Sequence, residues 1–264
     1  MKYSFMSFSC PKATFAEMLE LARRFGYDGI EPRIDAKHHH GVELKTKAQS
    51  RADIRRAAAE AGVAICCIAT SSKFADPREA AQQVEVLRRA IDLAADVGAP
   101  RVRVFGGKIP EGLSRDQAAR HVAEALRSAA DAAAARGVTI CMETHDDWCD
   151  PTHVAAVMQQ ANHAAVAVNW DIMHPVRFAG WTMERAFEVL RPWIRHVHFH
   201  DGSKNPADRE LRPVGQGDID HRTAVRLLLT TAYEGYLSGE WIDWQPADVH
   251  LPRELAAMKA YESE

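Results

Sequence analysis

Histidines occupy every second position in RHVHFHDG (195–202), at 196, 198 and 200, and Asp201 follows them. Alternate residues of an extended chain project to one face. The three imidazoles are therefore a candidate metal site, a candidate proton relay, or the polar face of a strand. The chain repeats this placement elsewhere. Glu31, Glu143 with His145, Asp171 with His174 three residues on, and Glu240 each stand at the end of a short apolar run. Glu143 and Asp171 are 28 residues apart, Asp171 and His198 27, and His198 and Glu240 42, each close to one strand–helix unit. Two glutamates, one aspartate and one histidine make an oxygen-rich donor set. Such a set suits Mn²⁺, Mg²⁺ or a similar divalent ion with positions open to substrate oxygens.

The elements that must position these groups are legible as alternating patterns. Apolar, β-branched runs at 2–8, 29–33, 63–70, 101–107, 138–145, 166–171, 194–201 and 236–242 read as strands. Thr14-x-x-Glu17 and Ser114-x-x-Gln117 read as capping boxes, and Asp76-Pro77 and Asp150-Pro151 as N-caps followed by a first-turn proline. Gly26, Gly62, Gly98 and Gly137 stand where helices end. The helix expected over 76–98 carries Ala81, Val84, Leu87, Ala90, Ile91 and Ala94 on one side. Eight such units without a linker or low-complexity tract predict one (β/α)₈ TIM barrel spanning residues 1–264. The competing doubly wound sheet would carry a glycine-rich phosphate loop after its first strand, and none is present. Barrel enzymes build their sites at the C-terminal ends of the strands, where the acids and imidazoles of this chain fall.

Composition narrows the partners. A hydrophobic content of 47% gives ample material for a core, and a formal net charge of −3 offers no footprint for nucleic acid or an anionic membrane. No run approaches the length of a membrane span, and the first residues lack a secretory pattern. Five cysteines without a Cys-x-x-Cys read as packing residues of a cytoplasmic protein.

The ordered segments ETH (143–145), WDIMH (170–174), HVHFHD (196–201), PVGQGDID (213–220) and GYLSGEW (235–241), with GYDGIEPR (26–33), resemble the xylose isomerase-like TIM-barrel superfamily. The resemblance is to its sugar phosphate isomerase/epimerase branch, which includes ketose 3-epimerases, hydroxypyruvate isomerases and inosose dehydratases. It implies one divalent metal ion, Mn²⁺ first and Mg²⁺, Co²⁺ or Zn²⁺ as alternatives, on Glu143, Asp171, His198 and Glu240. It further implies Glu143 and Glu240 as a base/acid pair working through a metal-stabilised enediolate of a sugar, sugar phosphate or keto-polyol. His174 falls on the position that contacts substrate oxygens. His145, His200, Lys204 and Glu31 are further candidate substrate contacts, Glu31 pairing with Arg33 as its alternative.

Ketose 3-epimerases carry a second glutamate where this chain has Cys149, and an arginine where it has Lys204. A dehydratase acting on an inosose- or dehydroshikimate-like compound is accordingly the alternative on the same site. A non-catalytic sugar- or metal-binding barrel is the reading from another class. The endonuclease IV type of DNA-repair enzyme needs further ligands where this chain reads TSSKF (70–74), FGGKIP (105–110) and ADRELRP (207–213), so that reading is set aside. A homo-oligomer is compatible with all of these.

Residues outside the site receive plainer expectations. His38, His39 and His40 read as a solvated or lid-loop segment, since consecutive residues cannot easily share one metal. Lys73 and Arg103 read as solvated strand-end charges, with phosphate binding as the alternative. Trp148, Trp181 and Trp241 read equally as sugar-pocket walls or core. His196 reads as barrel filling one layer below His198.

Overall fold

Parallel strands and intervening helices close into a (β/α)₈ barrel in a computed structural model that describes residues 1–231 and 233–264. The strands are β1 (Lys2–Met6), β2 (Gly29–Glu31), β3 in two pieces (Ala64–Ile65 and Ile68–Lys73), β4 (Arg101–Phe105), β5 (Thr139–Glu143), β6 (Val166–Asp171), β7 (Ile194–Phe199) and β8 (Tyr236–Gly239). Their order runs from the first piece of β3 through β2, β1, β8, β7, β6, β5 and β4 to the second piece of β3. β3, expected as one run, is interrupted at Cys66 and Cys67, and its pieces complete the circle. The amides of Cys66 and Ala69 donate to the carbonyls of Ile30 and Pro32, both at 3.0 Å.

Helices α1 (Phe15–Phe25), α2 (Ala48–Ala61), α3 (Ala80–Val97), α4 (Arg115–Ala135), α5 (Pro151–Ala161), α6 (His174–Ala179), α7 (Met183–Leu190), α8 (His221–Thr230) and α9 (Ala247–Glu262) surround the strands. Both capping boxes form, at Thr14 and at Ser114, and the Asp150 side chain caps α5 ahead of Pro151. The helix expected from Asp76 begins instead at Ala80; the Asp76 carboxylate accepts from the Arg78 amide and also holds its guanidinium, and the residues between form a turn. The side of α4 carrying Ala118, Val122, Leu126, Ala129 and Ala133 is buried, small residues allowing close approach to its neighbours. No described helix is long and apolar enough to cross a membrane.

The barrel interior departs from the usual aliphatic filling. Ser4, Glu31, Thr70, Arg103, Asn169, Asp171, His196, His198 and Ser238 are all at most 1% exposed. Glu31 of β2 reaches His196 and His198 of β7, two strands that are not neighbours, so these contacts cross the interior.

His40 and His250 are buried outside this interior. His40, expected in a solvated segment, is 3% exposed, accepts from the Val42 amide at 3.0 Å and bonds the Arg33 carbonyl at 3.2 Å. His38 bonds Ser7 at 2.8 Å, and His39 alone of the three is exposed. His250 packs against Trp241 and Trp244 and, among the described residues, neither ring nitrogen has a hydrogen-bond partner. Burial, aided by the charges of His38 and Arg253 respectively, lowers His40 and His250 to about 4. In the unfolded chain these imidazoles take a proton near pH 6.5. The unfolded state thus binds more protons in this window, and stability falls as the pH drops from about 6.5 towards 4. The melting temperature is expected to decline over that range, and less steeply in His250→Leu. Parallel pH curves for the two proteins would remove His250 from this account.

Candidate functional site at the barrel mouth

Register sets the depth of each group. Asp171 lies beside His198 across β6 and β7, and His198 beside Ser238 of β8, which places Glu240 two residues nearer the mouth. Glu143 lies beside Asn169, two residues below Asp171 on β6. The barrel stagger brings the four side chains together all the same. One donor atom from each of Glu143, Asp171, His198 and Glu240 lies within 4.8 Å of every other. All four residues are buried.

Arg103 makes this crowding of carboxylates possible. It was expected in solvent, but it is 1% exposed. Its Nε lies 3.0 Å from Glu143 Oε2, its Nη1 donates to the Thr70 carbonyl at 2.7 Å, and its guanidinium covers Phe105. Asn169 Nδ2 donates to the same Glu143 oxygen at 3.2 Å. Burial alone would raise the Glu143 carboxyl; the charges of Arg103 and then His198 more than offset this and hold it at about 2. For His198, burial favours the neutral ring, but Glu31 and Glu143 outweigh it and move the imidazole upward.

Asp171 is oriented by its own loop. Its Oδ1 accepts from the amides of Met173 at 2.9 Å and His174 at 3.0 Å, while Oδ2 lies 2.9 Å from His200 Nε2. His174 Nδ1 bonds the Thr144 carbonyl at 3.0 Å, and its ring meets those of His145 and His200 edge-on. His145 is the more open of these, its Nδ1 3.1 Å from Asp146 Oδ1. Burial pulls His145 down; the Asp146 hydrogen bond and then the Glu143 charge outweigh it and lift the ring to about 8. A groove lined by Lys73, Gly106, Lys108 and Asp146 opens alongside.

The remaining expected residues fall elsewhere. Glu31 neither reaches the mouth nor pairs with Arg33. It is 0% exposed and its carboxylate is taken up by His196 at 2.8 Å and His198 at 3.1 Å. Arg33 turns instead to the Ser71 hydroxyl and to the carbonyl of Ile34. Lys204 is exposed beyond β7 and, among the described residues, makes no ion pair with the cluster; only its amide is engaged, by Asp218. Cys149 is buried with its thiol donating to the Asp146 carbonyl. Trp148 and Trp241 are core residues at 0% and 1% exposure, not pocket walls. Trp148 packs so closely on Gly106 that any Cβ there would collide with the indole. Trp181 is half-buried against Arg185.

One carboxylate ties down the loop that follows β7. Asp201, 0% exposed, accepts from the amides of Gly202, Gly215, Gly217 and Ile219 at 2.7–3.3 Å. Gly217 has no room for a side chain against this carboxylate. Sequence reasoning singled out neither Asp201 in this role nor Arg103 and Asn169 as partners of Glu143. A charged residue inside a strand flanked by Val102 and Val104 was the available signal for Arg103.

The cluster fits a divalent cation on its own chemistry. Glu143 Oε1, Asp171 Oδ2 and His198 Nδ1 are buried without an aligned hydrogen-bond partner among the described residues. Buried polar atoms are almost always satisfied, and three carboxylates converging with one imidazole are a hard donor set.

Comparison with known proteins agrees with this architecture. Residues 19–261 match the model of the xylose isomerase-like TIM barrel family, and the chain belongs to that family. The L-ribulose-5-phosphate 3-epimerase UlaE of Shigella boydii serotype 18 is 25% identical over 236 residues, covering 85% of this chain and 81% of that protein. The probable 3-DHS dehydratase AsbF of Bacillus anthracis superposes with a TM-score of 0.80 at 19% identity, over 98% of each chain. A xylose isomerase-like barrel from Mycobacterium smegmatis in complex with magnesium gives 0.77 at 20% identity, over 99% of this chain and 97% of that one.

Removing Arg103 leaves the Glu143 charge buried and uncompensated. Loss of one partner of a buried pair is expected to cost about 3 kcal/mol. Urea unfolding of Arg103→Gln in metal-free buffer measures it; a loss under about 1 kcal/mol would show that Glu143 finds its compensation elsewhere.

Proposed function

We propose that the protein is a divalent-metal-dependent epimerase or isomerase of a sugar or sugar phosphate, with Glu143, Asp171, His198 and Glu240 as metal ligands. The observation that carries this reading is the convergence of those four groups with three buried donor atoms left unsatisfied. The epimerase activity in the name of the Shigella relative and the magnesium in the name of the Mycobacterium structure support it.

The bound ion supplies Lewis acidity toward a substrate carbonyl and its neighbouring hydroxyl, stabilising the charge left when a carbon-bound proton departs. The protein supplies the proton transfers. Glu143 is kept ionised by Arg103, and ionised is the state in which a carboxylate can accept a proton. Glu240 lies nearest the mouth at 7% exposure and serves as its counterpart from β8. Return of the proton to the other face gives the epimer, and return to the neighbouring carbon gives the isomer. His174, anchored through Nδ1, holds substrate oxygens with its other nitrogen.

One observation favours dehydration as a second reading. His145 Nδ1 lies 3.1 Å from Asp146 Oδ1, which favours its protonated form, and the residue lies beside Glu143 and His174. An imidazolium there could protonate a departing hydroxyl, converting the same proton abstraction into loss of water. A screen of ketoses, ketose phosphates and keto-polyols in D₂O separates the outcomes by NMR. Deuterium incorporation with recovery of an epimer or isomer supports the first reading; a dehydrated product supports the second. Glu143→Gln and Glu240→Gln are each expected to lower turnover at least about a hundredfold, the lower end of general-base contributions. Wild-type turnover in either variant would exclude the two-glutamate scheme.

A further inference from the structure

Glu31 lies at the closed side of the site, and its position carries a further role. Its carboxylate receives the edges of two rings at once. His196 Nε2 lies 2.8 Å from Oε2, and His198 Nε2 lies 3.1 Å from Oε1 and 3.3 Å from Oε2. The two imidazoles stand nearly perpendicular, at 76°, with centroids 5.4 Å apart. All three residues are fully buried, so no water competes for these bonds. Arg33, the nearest cation in sequence, is bonded elsewhere and does not draw Glu31 away.

The consequence concerns which nitrogen of His198 faces the mouth. A carboxylate can only accept, so the hydrogen of His198 Nε2 is committed downward to Glu31. Nδ1 is then the atom left to the site, 3.2 Å from Glu240 Oε2 and 3.4 Å from Glu143 Oε2 and not aligned for a hydrogen bond with either. His196 braces the carboxylate from the other ring edge, so Glu31 cannot rotate without losing a buried bond.

We propose that Glu31 is the positioning residue of the metal site, fixing His198 as an Nδ1 ligand. The proposal rests on the metal reading above. Carboxylates that orient metal-bound histidines typically change metal affinity 10- to 100-fold when removed. Glu31→Gln keeps the shape but offers a single acceptor oxygen to two ring N–H groups; Glu31→Ala offers none.

Titration calorimetry with Mn²⁺ alone, on wild type, His198→Ala, Glu31→Gln and Glu31→Ala, tests both levels. Expected are one site in wild type, its loss in His198→Ala, and binding roughly 10- to 100-fold weaker in the Glu31 variants. If wild type binds no Mn²⁺, or His198→Ala binds as wild type does, the metal reading and this proposal both fail. If His198→Ala loses the ion while both Glu31 variants bind as wild type does, the metal reading stands and the positioning role is overturned. Long-range ¹H–¹⁵N spectra of the Mg²⁺-loaded wild type decide the point even if the variants fail to fold. The His198 proton is expected on Nε2; a proton on Nδ1 overturns the proposal.

Discussion

Four buried carboxylates, Glu31, Glu143, Asp171 and Glu240, have to stay ionised inside one barrel, and the polar architecture answers that demand. Like charges at such distances push protons onto one another unless cations or donors separate them. The solution is distributed over strands. Arg103 of β4 takes Oε2 of Glu143, His196 and His198 of β7 bracket Glu31, and His200 faces Asp171. Each partner lies on a different strand from the carboxylate it serves, so the charges balance only once the strands have assembled. The site is therefore part of the folding problem as well as its product.

This division of labour gives Glu143 two distinct oxygens. One is held by a guanidinium and an amide, while the other is unengaged. A carboxylate secured at one end keeps its direction without exhausting its capacity to bind or to take a proton. Asp171 follows the same plan, its Oδ1 occupied by two backbone amides of the turn leading into α6. In Glu143 this leaves Oε1 unengaged, and in Asp171 it leaves Oδ2 facing His200 Nε2 at 2.9 Å.

What could be read from the chain, and what could not, divides along the same line. The strands and helix ends were visible because Thr14, Ser114 and Asp150 act on residues two or three positions away. Glu143, Asp171 and Glu240 were legible as polar residues at strand ends of one barrel mouth, whereas His198 was singled out from His196 and His200 by the family resemblance. Their partners were hidden. Whether Arg103 points to solvent or into the interior depends on the layer its strand register assigns, and Glu31 meets β7 only after closure. Asp76 bonds the Arg78 amide as a capping residue does, yet the residues after it form a turn and the helix starts only at Ala80.

The loop held by Asp201 bears on how such a protein changes over generations. All four amide bonds to that carboxylate come from residue 202 and from residues 215–219. Most of the stretch between Lys204 and Glu210 is exposed and lies outside this ring of bonds. Insertions or replacements there leave the anchor, and with it His200 and α8, in place. The loop is thus fixed at its base by Asp201, while its exposed tip takes no part in that anchor.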